Sequence, residues 1–205
     1  MQQTFKEFLI EARRNPELNP KIDTLDQLIS IFQSHSREYD SIFVTFTEFN
    51  KLGANPQSKF HTPLGIYAYP LSYVIKQKLN VPYQSNARYI QVFKLLSFDN
   101  IWELQDPSQV KVIKQKISKV YDKVNGNTPN LLWYSLYQDF NNPFNQSNNN
   151  DDNEGLRVRK ILTSAGISGV IDYNGGIIHE NEPTQAVFFN TKILYPIKTI
   201  DSKSQ

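Results

Sequence analysis

Residues 62–70 have the sequence Thr-Pro-Leu-Gly-Ile-Tyr-Ala-Tyr-Pro, which has the composition of a strand that leads directly into a helix. Pro63 and Gly65 interrupt regular structure before the run, whereas isoleucine and tyrosine favour a pleated strand. Pro70 suits the first turn of a helix, because its missing N–H group needs no partner there. The sequence therefore predicts a β-strand over 65–69 followed by a helix.

Further strands and helices are predicted on both sides of this run. Apolar and β-branched residues favour strands at 42–46, 88–96, 168–172, 176–179 and 185–190. Helical spacing is found within 107–122, 131–140 and 156–165, and Gly166 is predicted to end the last helix. Asn174-Gly175 is predicted to form a hairpin turn, because both residue types accept positive φ. This order of elements predicts an α+β fold.

The composition limits the size of the fold and the kinds of partner. A chain of 205 residues can bury one proper core, and its 22 Lys and Arg nearly balance its 20 Asp and Glu. This balance gives no reason to choose nucleic acid as a partner, and the lysine row from Lys111 to Lys123 is interpreted as a solvated helix face. No apolar run approaches the ~18 residues of a membrane-spanning helix, so no membrane partner is predicted.

The common signatures of catalysis are absent from the sequence. There is no phosphate-binding glycine loop, no nucleophile elbow and no cysteine. His35, His61 and His179 are too widely spaced to indicate a metal site, so no metal is predicted. One alternative is a small nuclease, which would require His61 and His179 to converge in one cleft.

Two segments are more specific than an ordinary core requires. The first combines Phe43-Val44-Thr45-Phe46-Thr47 with Gly65-Ile66-Tyr67, and the second runs from Gly169 to Gln185-Ala186-Val187-Phe188-Phe189-Asn190. Here the chain resembles the ADP-ribosyltransferase superfamily, and most closely the transferase-like domains of large phage polyvalent proteins. The resemblance covers roughly residues 41–200, with the middle part matched only in its order of elements. It implies an ADP-ribosyltransferase-like split β-sheet core with packed helices.

The resemblance implies that NAD binds between the 43–47 and 65–69 strands. Tyr67 is implied to orient the nicotinamide ribose. The other implied NAD-binding residues are Thr45, Thr47, Gly65 and Tyr69.

Gln185 falls where the superfamily normally has a catalytic glutamate. A glutamate there hydrogen-bonds a ribose hydroxyl and stabilises the positive charge that develops as nicotinamide leaves, whereas an amide offers no full negative charge. Glu180 and Glu182 lie just upstream, and either would supply a carboxylate. We take Glu182 as the third catalytic candidate, beside Tyr67 and Gln185.

The implied function is NAD-dependent mono-ADP-ribosylation by a bacteriophage enzyme, with NAD as a substrate and a host protein or nucleic acid as the acceptor. The alternative is a catalytically inactive virion or host-interaction protein on the same scaffold, which Gln185 favours. On periodicity alone, Tyr67 and Tyr69 are ordinary strand aromatics, and Gly65 only permits a close approach between strands.

The N-terminal residues 1–40 are predicted to form a separate helical segment, with helices over 2–15 and 24–34. Residues 4–12 resemble the leader of internal head proteins of large contractile-tailed phages, which is cut after a Leu/Ile-x-Glu sequence. The resemblance implies a cleaved leader at 1–11 and a location in the virion interior and then in the host cytoplasm, or in the host cytoplasm alone. An ordinary N-terminal helix is the alternative.

The polar stretch at 141–155 is predicted to be a surface loop.

Overall fold

The computed structural model describes residues 41–52, 63–77, 87–137, 154–178 and 184–201. These residues form seven β-strands and four α-helices, which confirms the α+β class. Their contacts group into two compact units: the described parts of 1–50, 70–95 and 195–205, and those of 51–69 and 96–194. The N-terminal helices, the leader and almost all of the 141–155 loop lie outside the described residues.

The elements follow the chain in the order β1 (Ile42–Thr47), β2 (Ile66–Pro70), α1 (Leu71–Lys76), β3 (Tyr89–Leu95), β4 (Ile101–Glu103), α2 (Val110–Ser118), α3 (Pro129–Ser135), α4 (Glu154–Ser164), β5 (Gly169–Asp172), β6 (Gln185–Phe188) and β7 (Leu194–Asp201). Two short 3₁₀ turns, Pro107–Gln109 and Thr191–Ile193, precede α2 and β7. Most of the predicted elements are thus present, with ends shifted by a few residues.

The first unit contains an antiparallel pair, β1 and β3, with β7 on the other side of β3. Phe43 lies opposite Phe93 in the register of the pair, and their rings stack with centroids 6.1 Å apart. Pro196 lies within β7 and interrupts its strand pattern, which is why this strand was not predicted from the sequence. A proline is tolerated there because β7 is at the edge of the sheet.

The second unit contains a four-stranded sheet. β4 runs parallel to β5, and β6 lies between β5 and β2 and is antiparallel to both. Trp102 of β4 is fully buried against Trp133 of α3, with ring centroids 5.8 Å apart. One face of this sheet therefore packs against the helices and forms the main hydrophobic core of the unit.

Helices α2, α3 and α4 supply the other half of this core. α2 buries Val110, Ile113 and Ile117, while its lysines are exposed or half-buried, as the amphipathic pattern predicts. Thr128 caps the N-terminus of α3, because its hydroxyl accepts a hydrogen bond from the Leu131 amide at 3.3 Å. α4 ends shortly before Gly166, which has a φ of 77° and so ends the helix as predicted.

The predicted hairpin at Asn174-Gly175 and the predicted strand at 176–179 are wrong in the part that is described. β5 pairs with β6 instead, and residues 176–178 form bends rather than a strand. The reason is local: the Asp172 carboxylate accepts hydrogen bonds from the amides of Gly175, Ile177 and Ile178. These amides are therefore not available to a β-ladder.

Candidate functional site

Four polar or aromatic residues of the second unit share one face of its sheet. Asp172, the last residue of β5, lies opposite Gln185, the first residue of β6. Tyr67 of β2 lies opposite Val187, two residues after Gln185, and Tyr69 follows two residues later on β2. Residues that are opposite each other or two apart on a strand project to the same side. We call Tyr67, Tyr69, Asp172 and Gln185 the Gln185 cluster.

The side chain of Gln185 is buried, with 6% of its surface exposed. Its amide oxygen Oε1 has no hydrogen-bond partner among the described residues. Leaving a buried acceptor unpaired costs on the order of 1–3 kcal/mol, so such groups are rare in folded proteins. Three other buried polar atoms of the described residues are unpaired as well, namely Gln91 Oε1, Trp102 Nε1 and the Tyr137 hydroxyl oxygen.

The carboxylate of Asp172, the direct neighbour of Gln185, is fully hydrogen-bonded. Asp172 is 1% exposed, and its carboxylate accepts the amide hydrogens of Gly175 at 2.9 Å, Ile177 at 2.7 Å and Ile178 at 3.1 Å. The Gln105 amide nitrogen donates a further, short hydrogen bond to the same carboxylate. With four donors in place, Asp172 is a structural anchor and is not free to act as a base.

The segment between β5 and β6 is anchored at both ends. Gln105 Oε1 accepts a hydrogen bond from the Tyr173 amide at 2.7 Å, and the Thr184 hydroxyl donates to the Tyr173 carbonyl at 2.7 Å. Thr184 immediately precedes Gln185. These bonds fix the position at which the chain enters β6, and with it the backbone of Gln185.

Tyr67 is half-buried and is held at both ends of its side chain. Its hydroxyl donates a hydrogen bond to the Pro63 carbonyl at 2.7 Å, and its ring packs against the hydrophobic core. Burial raises the pKa of the nearby Tyr137 hydroxyl well above its ordinary value, and Tyr67 and Glu154 raise it further. Tyr67 thus has a packing role on the face of the sheet that also carries Gln185, and its orienting role stays a prediction.

Gly65 allows the chain before β2 to approach β6 closely. A Cβ atom added at Gly65 would lie 2.6 Å from Val187 Cγ1 and 2.9 Å from the Phe188 carbonyl oxygen. Both distances are too short for a real side chain. Close packing against β6 therefore accounts for a glycine at this position without any ligand.

Thr45 and Thr47, the predicted NAD contacts of the first strand, lie on β1 of the first unit. Thr45 is buried and lies opposite Gln91, whose amide nitrogen donates to the Phe49 carbonyl at 2.6 Å. The Thr47 hydroxyl accepts a hydrogen bond from the Phe49 amide at 3.1 Å. The structure thus brings Gly65, Tyr67, Tyr69 and Gln185 together within the second unit, and places the two threonines in the first.

Several predicted site residues lie outside the described ranges, so their roles stay predictions. They are Glu180 and Glu182, together with His61 and His179 of the nuclease alternative. Across the ranges that the structure covers, no group of three or more His, Asp or Glu side chains is placed to hold a metal ion. In the same ranges, no helix has the length and apolar character needed to cross a membrane.

Two residues that organise the site were not predicted from the sequence, namely Asp172 and Gln105. A signal for Asp172 was available, since Asp followed by Tyr-Asn-Gly-Gly has the composition of a turn in which the carboxylate bonds the following amides. No local pattern indicates Gln105, because it reaches Asp172 across 67 positions of sequence.

No protein-family model, no curated protein sequence and no solved structure matches the chain. The likeness to ADP-ribosyltransferases rests on the quoted segments alone.

Proposed function

We propose that this chain is an NAD-dependent mono-ADP-ribosyltransferase of a bacteriophage. The observation that carries the proposal is the buried, unpaired amide oxygen of Gln185 beside two tyrosines of the neighbouring strand. A ribose hydroxyl is a donor of the kind that this acceptor lacks. The superfamily that the segments resemble uses this strand position to hold the nicotinamide ribose.

The proposed reaction breaks the bond between the ribose carbon and the nicotinamide nitrogen. The bonding electron pair leaves with nicotinamide, an acceptor nucleophile forms the new bond to the same carbon, and a base takes the nucleophile's proton. Gln185 holds a ribose hydroxyl by a hydrogen bond that strengthens as positive charge develops on the sugar. Tyr67 orients the ribose, and Glu182 is the proposed base.

The acceptor in this proposal is a host protein or nucleic acid. The resemblance of residues 4–12 to phage leaders favours a protein that is packaged in the virion interior and then acts in the host cytoplasm. The hypothesis leaves both classes of acceptor open, because acceptor choice depends on loops.

A second candidate function is a catalytically inactive virion or host-interaction protein on the same scaffold. The neutral side chain of Gln185 favours it. Asp172 favours it as well, because its carboxylate already accepts four hydrogen bonds and is not available as a catalytic base. On this hypothesis the buried amide still binds NAD, or a related ribosyl group, without cleaving it.

The test is transfer of label from NAD in a host-cell lysate, with the full chain and three variants. Wild type is expected to label an acceptor, and Gln185→Glu to label it at least as fast, because negative charge at this position stabilises the transition state while the Asp172 carboxylate opposite it opposes full ionisation. Glu182→Gln is expected to abolish labelling. Tyr67→Phe keeps the packed ring but loses the hydroxyl, so it is expected to fold and to label the acceptor more slowly.

Absence of labelling by both wild type and Gln185→Glu would contradict the transferase proposal, provided that both proteins are folded. Retained NAD binding under those conditions would support the inactive scaffold.

A further inference from the structure

A cleft of about 400 Å³ lies in the second unit, away from the Gln185 cluster. Its walls come from α4, from the loop between α4 and β5, from the start of β2 and from the segment after β6. Ile66 and Phe188 line it, and they project to the opposite face of the sheet from Tyr67 and Val187. The cleft is thus a separate site, and its volume falls in the range of small-molecule sites, roughly 300–1,000 Å³.

Two cations line the cleft from different elements. Arg159 of α4 is half-buried, and its Nη2 donates to the Phe189 carbonyl at 3.3 Å. Lys192 lies on the 3₁₀ turn before β7 and is exposed. Neither cation forms an ion pair with a described carboxylate, and no acidic side chain lines the cleft. The Phe189 bond occupies one of the five guanidinium N–H groups, so most of them can bind an anion.

The remaining walls supply one polar and one apolar side. The backbone of Ser168 is fixed by two hydrogen bonds, from its amide to the Asn100 carbonyl and from the Phe189 amide to its carbonyl, both at 2.8 Å. Ser168 also lines the cleft, and its hydroxyl has no hydrogen-bond partner among the described residues. The apolar part of the lining comes from the edges of the largely buried side chains of Ile66, Ile167 and Phe189, which are 4%, 1% and 6% exposed. A ligand that fits has a compact anionic end and an apolar body.

We propose that this cleft binds an organic phosphate of the size of a nucleoside diphosphate. The phosphate groups contact Arg159, Lys192 and the Ser168 hydroxyl, because arginine forks and hydroxyls are matched to phosphate oxygens. The organic part packs against Ile66 and Ile167. The volume favours this ligand class over inorganic phosphate, which would fill only part of the cleft. The inference does not rest on the proposed transferase activity, since the two sites share no residue.

The experiment is calorimetric titration of the full chain with ADP at low ionic strength. Wild type is expected to bind ADP saturably, and adenosine and inorganic phosphate at least about tenfold more weakly, because each lacks one half of the ligand. Arg159→Gln is expected to weaken ADP binding about tenfold and Lys192→Gln about threefold. Arg159→Lys keeps the charge and should retain part of the affinity.

Lys160→Gln is the matched control, because Lys160 is the exposed neighbour of Arg159 on α4 and does not line the cleft. It is expected to leave ADP affinity unchanged. The proposal is overturned if wild type shows no saturable ADP binding up to about 10 mM, or if folded Arg159→Gln and Lys192→Gln both bind ADP as wild type does. If Arg159→Gln and Lys192→Gln bind ADP as wild type does and still turn over NAD, the ADP-site proposal is wrong while the transferase proposal stands.

Discussion

At the scale of single residues, the site is defined by two buried polar side chains with opposite hydrogen-bonding status. Asp172 and Gln185 lie opposite each other on β5 and β6, and both are almost completely buried. The Asp172 carboxylate has four donors, whereas the Gln185 amide oxygen has none among the described residues. Saturated buried groups hold a fold together, and unpaired ones lower its stability unless a ligand completes them. The contrast assigns a structural role to Asp172, and the unpaired oxygen of Gln185 is the group to which the proposed NAD binding would supply a donor.

Asp172→Asn is expected to lower the free energy of unfolding by about 2–4 kcal/mol. The amide that replaces the carboxylate keeps only one acceptor oxygen, and its NH₂ group faces backbone donors that then lose their partner. Urea denaturation measures the loss. Asp122→Asn is the control, because Asp122 is exposed and the same change there should alter stability by less than about 0.5 kcal/mol. Equal stability of the two variants would contradict the anchoring role.

At the scale of elements, most strands and helices were predictable because their apolar residues repeat with the period of the structure. β1, β3 and α2 are examples. β4 was not predicted, since three residues are too few to show a period. The predicted strand at 176–179 failed for another reason, because side-chain hydrogen bonds to Asp172 take the place of strand pairing there. The signal was local, since Asp172 followed by Tyr-Asn-Gly-Gly has the composition of a turn, but the apolar pattern of 176–179 alone does not reveal it.

The end of β4 gives a prediction for the pH dependence of stability. Burial raises the pKa of Glu103 above its ordinary value, and the charge of Asp106 raises it further. The folded protein therefore binds the Glu103 proton more readily than the unfolded chain does. Protonated Glu103 adds to the free energy of unfolding at low pH, and this contribution is lost as the pH rises through the raised pKa. Glu103→Gln, which resembles the protonated form, is expected to be more stable than wild type at neutral pH.

This difference should disappear below about pH 4, where glutamate is protonated even in the unfolded chain. Urea midpoints at several pH values measure it. Glu48→Gln serves as the control, because Glu48 is exposed. A Glu103→Gln variant that is less stable than wild type at neutral pH would show that the negative charge is favourable there.

At the scale of the whole molecule, the sequence predicted the α+β class and the set of strands that carry the site. It also placed Tyr67, Tyr69 and Gln185 in one region, and the structure puts them on adjacent strands. It did not predict that the described chain divides into two compact units, because that division depends on contacts between distant segments. The arginine-lined cleft was not predicted either, since Arg159 and Lys192 are 33 positions apart and meet only in the fold.

The central claim is that the unpaired amide oxygen of Gln185 binds NAD, and titration of NAD into wild type and Gln185→Met tests it most directly. Methionine has a similar volume and no amide oxygen, so NAD affinity should fall about tenfold while the free energy of unfolding stays the same or rises. Gln115→Met, the same change at an exposed position of α2, should alter neither quantity. Failure of wild type to bind NAD, or equal NAD affinity in wild type and folded Gln185→Met, would contradict the claim.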